Sequence, residues 1–130
     1  MGKIGKILWQ DLTVDNAAEI RDFYCEEVGW IFSEVNQGEY NDFNMINEPE
    51  EEPVAGICHR RGVLTNFPAQ WLNYIMVKDL AASLEKCISL DGKVIDGPKP
   101  MGELQYAIIQ DPAGAFLVLM GAQAVGAVKI

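Results

Sequence analysis

The sequence predicts an α+β fold. It consists of two β-α-β-β-β modules forming a curved mixed sheet around a concave cavity, with the helices outside. Three observations lead there. Each half of the chain opens with an alternating strand followed by an amphipathic helix. The halves superpose at a constant offset of 63, which carries Leu12 onto Ile75, Val14 onto Val77, Ala18 onto Ala81 and Gly29 onto Gly92. The 130 residues, 49% apolar and 22% charged, suit one compact domain and leave no room for a large two-domain enzyme. One such unit is too small to bury both faces of its sheet, and two packed together are not.

The elements follow in order. Ile7–Val14 alternates with the period of a strand, interrupted by Gln10. Asn16 is the N-cap of the first helix, and Glu19 stands three residues on, at capping-box spacing. Ala17, Ile20, Phe23, Tyr24 and Val28 make one apolar helix face, and Gly29 stops it. Trp30–Val35 and Tyr40–Ile46 read as strands joined at Asn36-Gln37-Gly38. Glu48 to Pro53 is a charged, proline-bounded loop, read as a solvated face rather than a metal cluster. Val54–His59 is a short strand, and Arg60–Gln70 a linker.

The pattern then restarts. Leu72–Val77 is a strand, and Asp79 caps a second helix whose face is Leu80, Leu84, Cys87 and Ile88, with Gly92 as its stop. Lys93–Ile95, Leu104–Gln110 and Ala115–Met120 are three further strands, with a turn at Asp111-Pro112-Ala113-Gly114. Gly97 to Gly102 reads as a stiff loop with glycine hinges, either a lid or an ordinary connector. Module one thus spans about 5–60, the linker 61–70, module two about 71–121 and an apolar tail 122–130.

Composition excludes several functions. The net charge of -9 argues against nucleic acid, whose phosphates need clustered Lys and Arg. It suits a cationic ligand or simple solubility. With His59 as the single histidine, one chain cannot build a two-His-one-carboxylate iron site or a His-rich zinc site. Cys25, Cys58 and Cys87 have no paired spacing and read as reduced packing thiols. Met1–Lys6 has no apolar signal core, and no run approaches the roughly 18 apolar residues of a membrane span. A cytoplasmic protein with no membrane partner is expected.

Alternation sorts the strand residues into two sets. Leu12, Val14, Ile75, Val77, Leu117 and Leu119 face the helices. Trp9, Asp11, Thr13, Leu72, Tyr74, Met76, Phe116, Val118 and Met120 line the concave face. That lining suits a small, partly flat, apolar ligand. Trp9 and Tyr74 either stack on a planar group or cation, or fill the concave core. Asp11, the one charge there, would have a raised pKa unless paired. It is then an acid or base, a partner for a cationic ligand, or a partner for Arg60 or Arg61. Cys58 and His59 are neighbours on a strand, point to opposite faces and cannot form a dyad with each other.

Three stretches carry a family resemblance: WQDLTVDNAAEIRDFYCEEVGW at 9–30, NYIMVKDLAASLEKCISLDGKV at 73–94 and IIQDPAGAFLVLM at 108–120. Phe23-Tyr24 followed by Gly29-Trp30, and the Asp-Pro-x-Gly turn at 111–114, are the most specific pieces. In this order and spacing the chain resembles the vicinal-oxygen-chelate superfamily, which includes glyoxalase I, bleomycin-resistance proteins and extradiol dioxygenases. The resemblance implies paired β-α-β-β-β modules, a ligand or metal enclosed in the concave sheet, and often a dimer. The family's metal ligands fall here on Trp9, Leu72 and Val118, with a fourth position near Cys58 or His59. Trp, Leu and Val donate no lone pair to a metal, so metal-dependent mechanisms do not carry over and no cofactor is expected.

The expectation is therefore a metal-free member binding a small organic ligand through Trp9, Asp11, Leu72, Tyr74, Met76, Phe116 and Val118. The alternatives are a lyase, isomerase or epimerase using Asp11 or a non-standard metal site, and an interaction module. A homodimer is expected from the resemblance and from the apolar tail Ala122–Ile130, which could cover an edge strand.

Overall fold

A computed structural model describes residues 3–62 and 65–122, so the tail expected to cover an edge lies, beyond Ala122, outside the described residues. These residues form eight strands and two helices in the expected α+β order. They divide into two compact units, one of residues 9–71 and one of residues 3–8 with 72–122.

In the first unit, β1 (Ile7–Val14) leads into α1 (Ala17–Val28), followed by β2 (Ile31–Asn36), β3 (Asn41–Asn47) and β4 (Glu52–His59). The strand order is β2-β3-β4-β1, with β1 and β4 parallel and the other neighbours antiparallel. Leu12, Val14, Ala17, Phe43, Met45 and Ile57 form its core, all on the side that α1 covers. Gly29 ends α1 in the left-handed conformation, with φ 78°, and its N–H bonds the Cys25 carbonyl. Asn16 occupies the N-cap, yet its side chain makes no cap to the backbone. Its Nδ2 instead donates to Glu19 Oε1 at 3.1 Å, so the expected capping box is replaced by a side-chain pair. Phe23 and Val28, expected on the buried helix face, are 54% and 52% exposed. The apolar arc of α1 is wider than the sheet edge it packs on, so its flank stays in solvent.

In the second unit, β5 (Trp71–Asp79) leads into α2 (Leu80–Ser89), then β6 (Lys93–Met101), β7 (Leu104–Gln110) and β8 (Phe116–Ala122). The order is β5-β8-β7-β6, again with one parallel pair, β5 and β8. Leu80, Leu84, Ala107, Ile109 and Leu119 form the core, with Ile75, Val77 and Leu117 against it, which matches the expected helix-facing set. Asp79 Oδ1 accepts the Ala82 N–H at 3.1 Å and caps α2. Ile88, expected on the buried face, is 62% exposed.

Two local readings are corrected. Gly92 does not take the left-handed stop; Asp91 does, with φ 71°. Gly92 is instead a close approach, since a Cβ there would stand 2.7 Å from Cys87 Sγ and 3.0 Å from the Gln110 carbonyl. The segment from Gly97 to Met101 is no lid. It belongs to β6 and pairs with β7 through shifted registers, Lys99 against Tyr106 and Met101 against Leu104. Prolines are tolerated because β6 ends the order of this unit's strands and needs only one ladder. The Asp111 turn is as expected: Asp111 Oδ1 accepts from Ala113 N at 2.8 Å and Ala115 N at 3.0 Å. No described helix is long and apolar enough to cross a membrane.

Candidate functional site

The sheet of the first unit has a second face, turned away from α1. Trp9, Asp11 and Thr13 of β1 stand on it, because residues two apart on a strand share a side. The register sets Asp11 beside Gly56 and Thr13 beside Cys58 on β4, and sets Asn44 of β3 against Gly56. The face is thus polar at its centre. Trp9 Nε1 donates to Asp11 Oδ1 at 2.6 Å. That bond fixes the carboxylate across the strand surface and turns the indole edge toward it.

Gly56 makes this arrangement possible. A Cβ at Gly56 would collide with the Asp11 carboxylate and stand 3.4 Å from the Trp9 indole nitrogen. Glycine inside a strand marks a place where another group lies close, and here that group is the Asp11 side chain. The mid-strand glycine was the available sequence signal, and alternation alone does not reveal it.

A second carboxylate stands nearby. Asp42 is buried, and its Oδ1 accepts from the His59 backbone N–H at 2.9 Å and lies 3.0 Å from His59 Nδ1. The Cys58 thiol also bonds Asp42. Burial, then the negative charges of Asp11 and Asp42, push the Cys58 thiol far above its ordinary range. Cys58 is therefore a neutral thiol rather than a nucleophile. It and His59 meet at Asp42 and not at each other, which agrees with their opposite directions on β4. Cys25 and Cys87 pack against the two cores, and all three cysteines are free. Arg60 pairs with Asp15 at 3.2 Å, and the Arg61 guanidinium lies 3.7 Å from the Tyr40 ring centroid.

In the second unit, Tyr74 and Met76 of β5 register with Val118 and Met120 of β8, and Val118 with Ile108 of β7. These residues share the face opposite α2. Leu72 and Val118 are 2% and 1% exposed, so they are packing residues in this conformation. Tyr74, Met76, Phe116 and Met120 are half-buried.

The duplicated β-α-β-β-β order, the parallel β1–β4 and β5–β8 pairs and the Asp-Pro-x-Gly turn set the context for a family match. The model of the Glyoxalase/Bleomycin resistance protein/Dioxygenase superfamily matches residues 3–119. The chain belongs to this superfamily. Among curated relatives it is similar to CFP32 of Mycobacterium bovis and of Mycobacterium tuberculosis, a protein named as a candidate glyoxylase. The identity is 23% over 121 residues, covering 92% of this chain and 45% of each relative. The chain thus spans less than half the length of these relatives. Among solved structures, it resembles a variant of Streptomyces coelicolor methylmalonyl-CoA epimerase in complex with 2-nitronate-propionyl-CoA. That likeness has a TM-score of 0.59 at 11% identity, over 92% of this chain and 98% of that one. Methylmalonyl-CoA epimerase from Mycobacterium tuberculosis matches with a TM-score of 0.55 at 15% identity, over 88% and 85% of the chains. At such identities these likenesses show a shared fold and no shared chemistry.

The superfamily's metal chemistry does not fit the residues present. At the three positions where the resemblance implies ligands, Trp9 commits its indole N–H to Asp11, and Leu72 and Val118 are buried hydrocarbon. Among the described residues no group of three or more His, Cys, Asp or Glu is placed to hold a metal ion.

Proposed function

We propose that this superfamily member binds a small organic ligand, aromatic and carrying a cationic group, at the Trp9–Asp11 pair on the face of the first sheet turned away from α1, without the family metal. The observation that carries the reading is the 2.6 Å bond from Trp9 to a carboxylate lying over Gly56. Asp11 would take the cation, and the Trp9 ring would cover the apolar part. Asp42, on the same side of the sheet and turned to Cys58 and His59, adds negative potential that favours a cation over an anion.

A second reading keeps the same residues. Asp11 acts as the acid or base of a lyase, isomerase or epimerase, with the epimerase fold likeness as its support. One variant tests both readings, and turnover that survives it would reject Asp11 as acid or base. Asp11→Asn keeps an oxygen for the Trp9 N–H and removes the charge. For the binding reading, 2-phenylethylammonium should bind more tightly than the isosteric 2-phenylethanol, and Asp11→Asn should erase that preference. A charge-assisted hydrogen bond contributes about 1.5–3 kcal/mol, a factor of roughly ten or more in affinity. Equal affinity of both probes for the unaltered protein would overturn the cationic assignment.

We also propose a homodimer, as is common in this superfamily. Sedimentation that stays at the monomer mass at every concentration would refute it.

A further inference from the structure

The helix-covered side of the first unit carries a groove that the Asp11 site does not use. Its origin is the incomplete cover given by α1. Ala17 alone of that helix is buried, whereas α2 buries both Leu80 and Leu84. Beside α1 runs a cavity of about 370 Å³, with Leu12 on its floor, Ile20 and Phe23 on one wall and Ala69 on the other. A second recess of about 280 Å³ lies against Gln10, Val28, Trp30 and Val54. Tyr24 and Trp71 line both and pinch the groove between them.

The pinch is chemically specific. Trp71 Nε1 donates to the Tyr24 hydroxyl oxygen at 3.2 Å, with the rings edge to face at 5.4 Å. Tyr24 also stacks on Trp30, with ring centroids 5.8 Å apart and planes inclined by 24°. Because the Tyr24 oxygen accepts from Trp71, its own hydroxyl proton remains to be donated. No lining residue of either recess carries a charge, in a chain whose net charge is -9. An ion entering this groove would lose its hydration with no counter-charge to replace it. The larger recess falls within the roughly 300–1,000 Å³ of small-molecule sites.

We propose that this groove binds a small neutral aromatic molecule bearing an acceptor oxygen. Its ring packs against Tyr24 and Trp71, and its oxygen accepts a hydrogen bond from the Tyr24 hydroxyl. The groove is separate from the Trp9–Asp11 face and stands or falls independently of it.

The three tryptophans report on the two places, Trp9 on one and Trp30 with Trp71 on the other. In the full chain titrated with 2-naphthol, the Trp71 and Trp30 indole N–H resonances should shift and saturate while Trp9 stays still. Ala69 is exposed on the rim, so Ala69→Trp fills the groove without touching the core; it should weaken 2-naphthol at least tenfold. Asp11→Asn should leave the affinity unchanged. The proposal is overturned by any of four outcomes: no saturable shift, unchanged affinity in Ala69→Trp, movement of Trp9 instead, or a second copy in the groove. The last would show as a wild-type dimer that Ala69→Trp converts to monomer.

Discussion

Trp9 donates its indole N–H to the carboxylate of Asp11, two residues along the same strand, at 2.6 Å. The family resemblance of the sequence implies a metal-ligand position at Trp9, and in the structure this side chain holds a carboxylate. A carboxylate that accepts from a neighbouring indole N–H loses its freedom to turn. Strand spacing brings the two side chains to one face, and Gly56 leaves the space above its backbone that the carboxylate occupies.

Gly56→Ala tests that last step. The new methyl cannot coexist with Asp11 where it lies, so the carboxylate must swing away and the Trp9 bond must break. Overpacking of this kind costs about 1–3 kcal/mol. Chemical denaturation should show a loss in that range, and the preference for 2-phenylethylammonium should fall with it. Unchanged stability would show that Asp11 has another resting place.

Cys58 sets a pH dependence. Its thiol is raised in the folded protein, chiefly by burial, while the unfolded thiol titrates near its ordinary value of about 8.5. Above that pH the unfolded chain releases a proton that the folded chain retains. The stability contribution is therefore complete below about pH 8.5 and declines as pH rises further, by up to about 1.4 kcal/mol per pH unit from this one group. Cys58→Ala should flatten the alkaline slope of stability against pH. An identical slope in the variant would assign the dependence to other groups.

Much of the fold was legible because period-two alternation is set by the backbone. Leu12, Val14, Ile75, Val77, Leu117 and Leu119 all pack on the helix side as expected. The 63-residue offset was legible because both halves repeat the same burial problem. Element flanks were less so. Phe23 and Ile88 continue a helical apolar face past the width of the sheet beneath, and no local pattern records that width. Proline composition suggested a loop at residues 97–102, whereas a strand with one neighbour accepts residues that cannot donate. At the site, Trp9 and Asp11 were visible by alternation. Gly56, Asp42 and the Tyr24–Trp71 pinch were not, because each depends on which strand or segment lies beside which.

The close of α2 gives a paired test. Asp91 holds φ 71°, where a side chain is strained, and Gly92 holds a spot with no space for one. Asp91→Gly should stabilise the protein or leave it unchanged, within about 1 kcal/mol. Gly92→Ala should destabilise it by about 1–3 kcal/mol, because Cys87 and the Gln110 carbonyl would have to move. Equal effects of the two in thermal melts would contradict this division of roles.

The two helices should respond differently to truncation. Leu84→Ala removes a buried side chain and should cost about 2–5 kcal/mol. Phe23→Ser alters a residue that is 54% exposed and meets the Tyr24 ring edge to face at 5.1 Å, so it should cost only about 0.5–1.5 kcal/mol. A large loss from Phe23→Ser would mean that something covers the flank of α1 in solution.

The central claim is that the Trp9–Asp11 pair receives the cationic end of a ligand. The most direct measurement follows the three indole N–H resonances while 2-phenylethylammonium is added. The expected result is that the Trp9 resonance shifts saturably, that Trp30 and Trp71 do not, and that Asp11→Asn weakens the affinity read from the Trp9 shift about tenfold or more. A saturable shift confined to Trp30 and Trp71, or an unchanged affinity in Asp11→Asn, would contradict it.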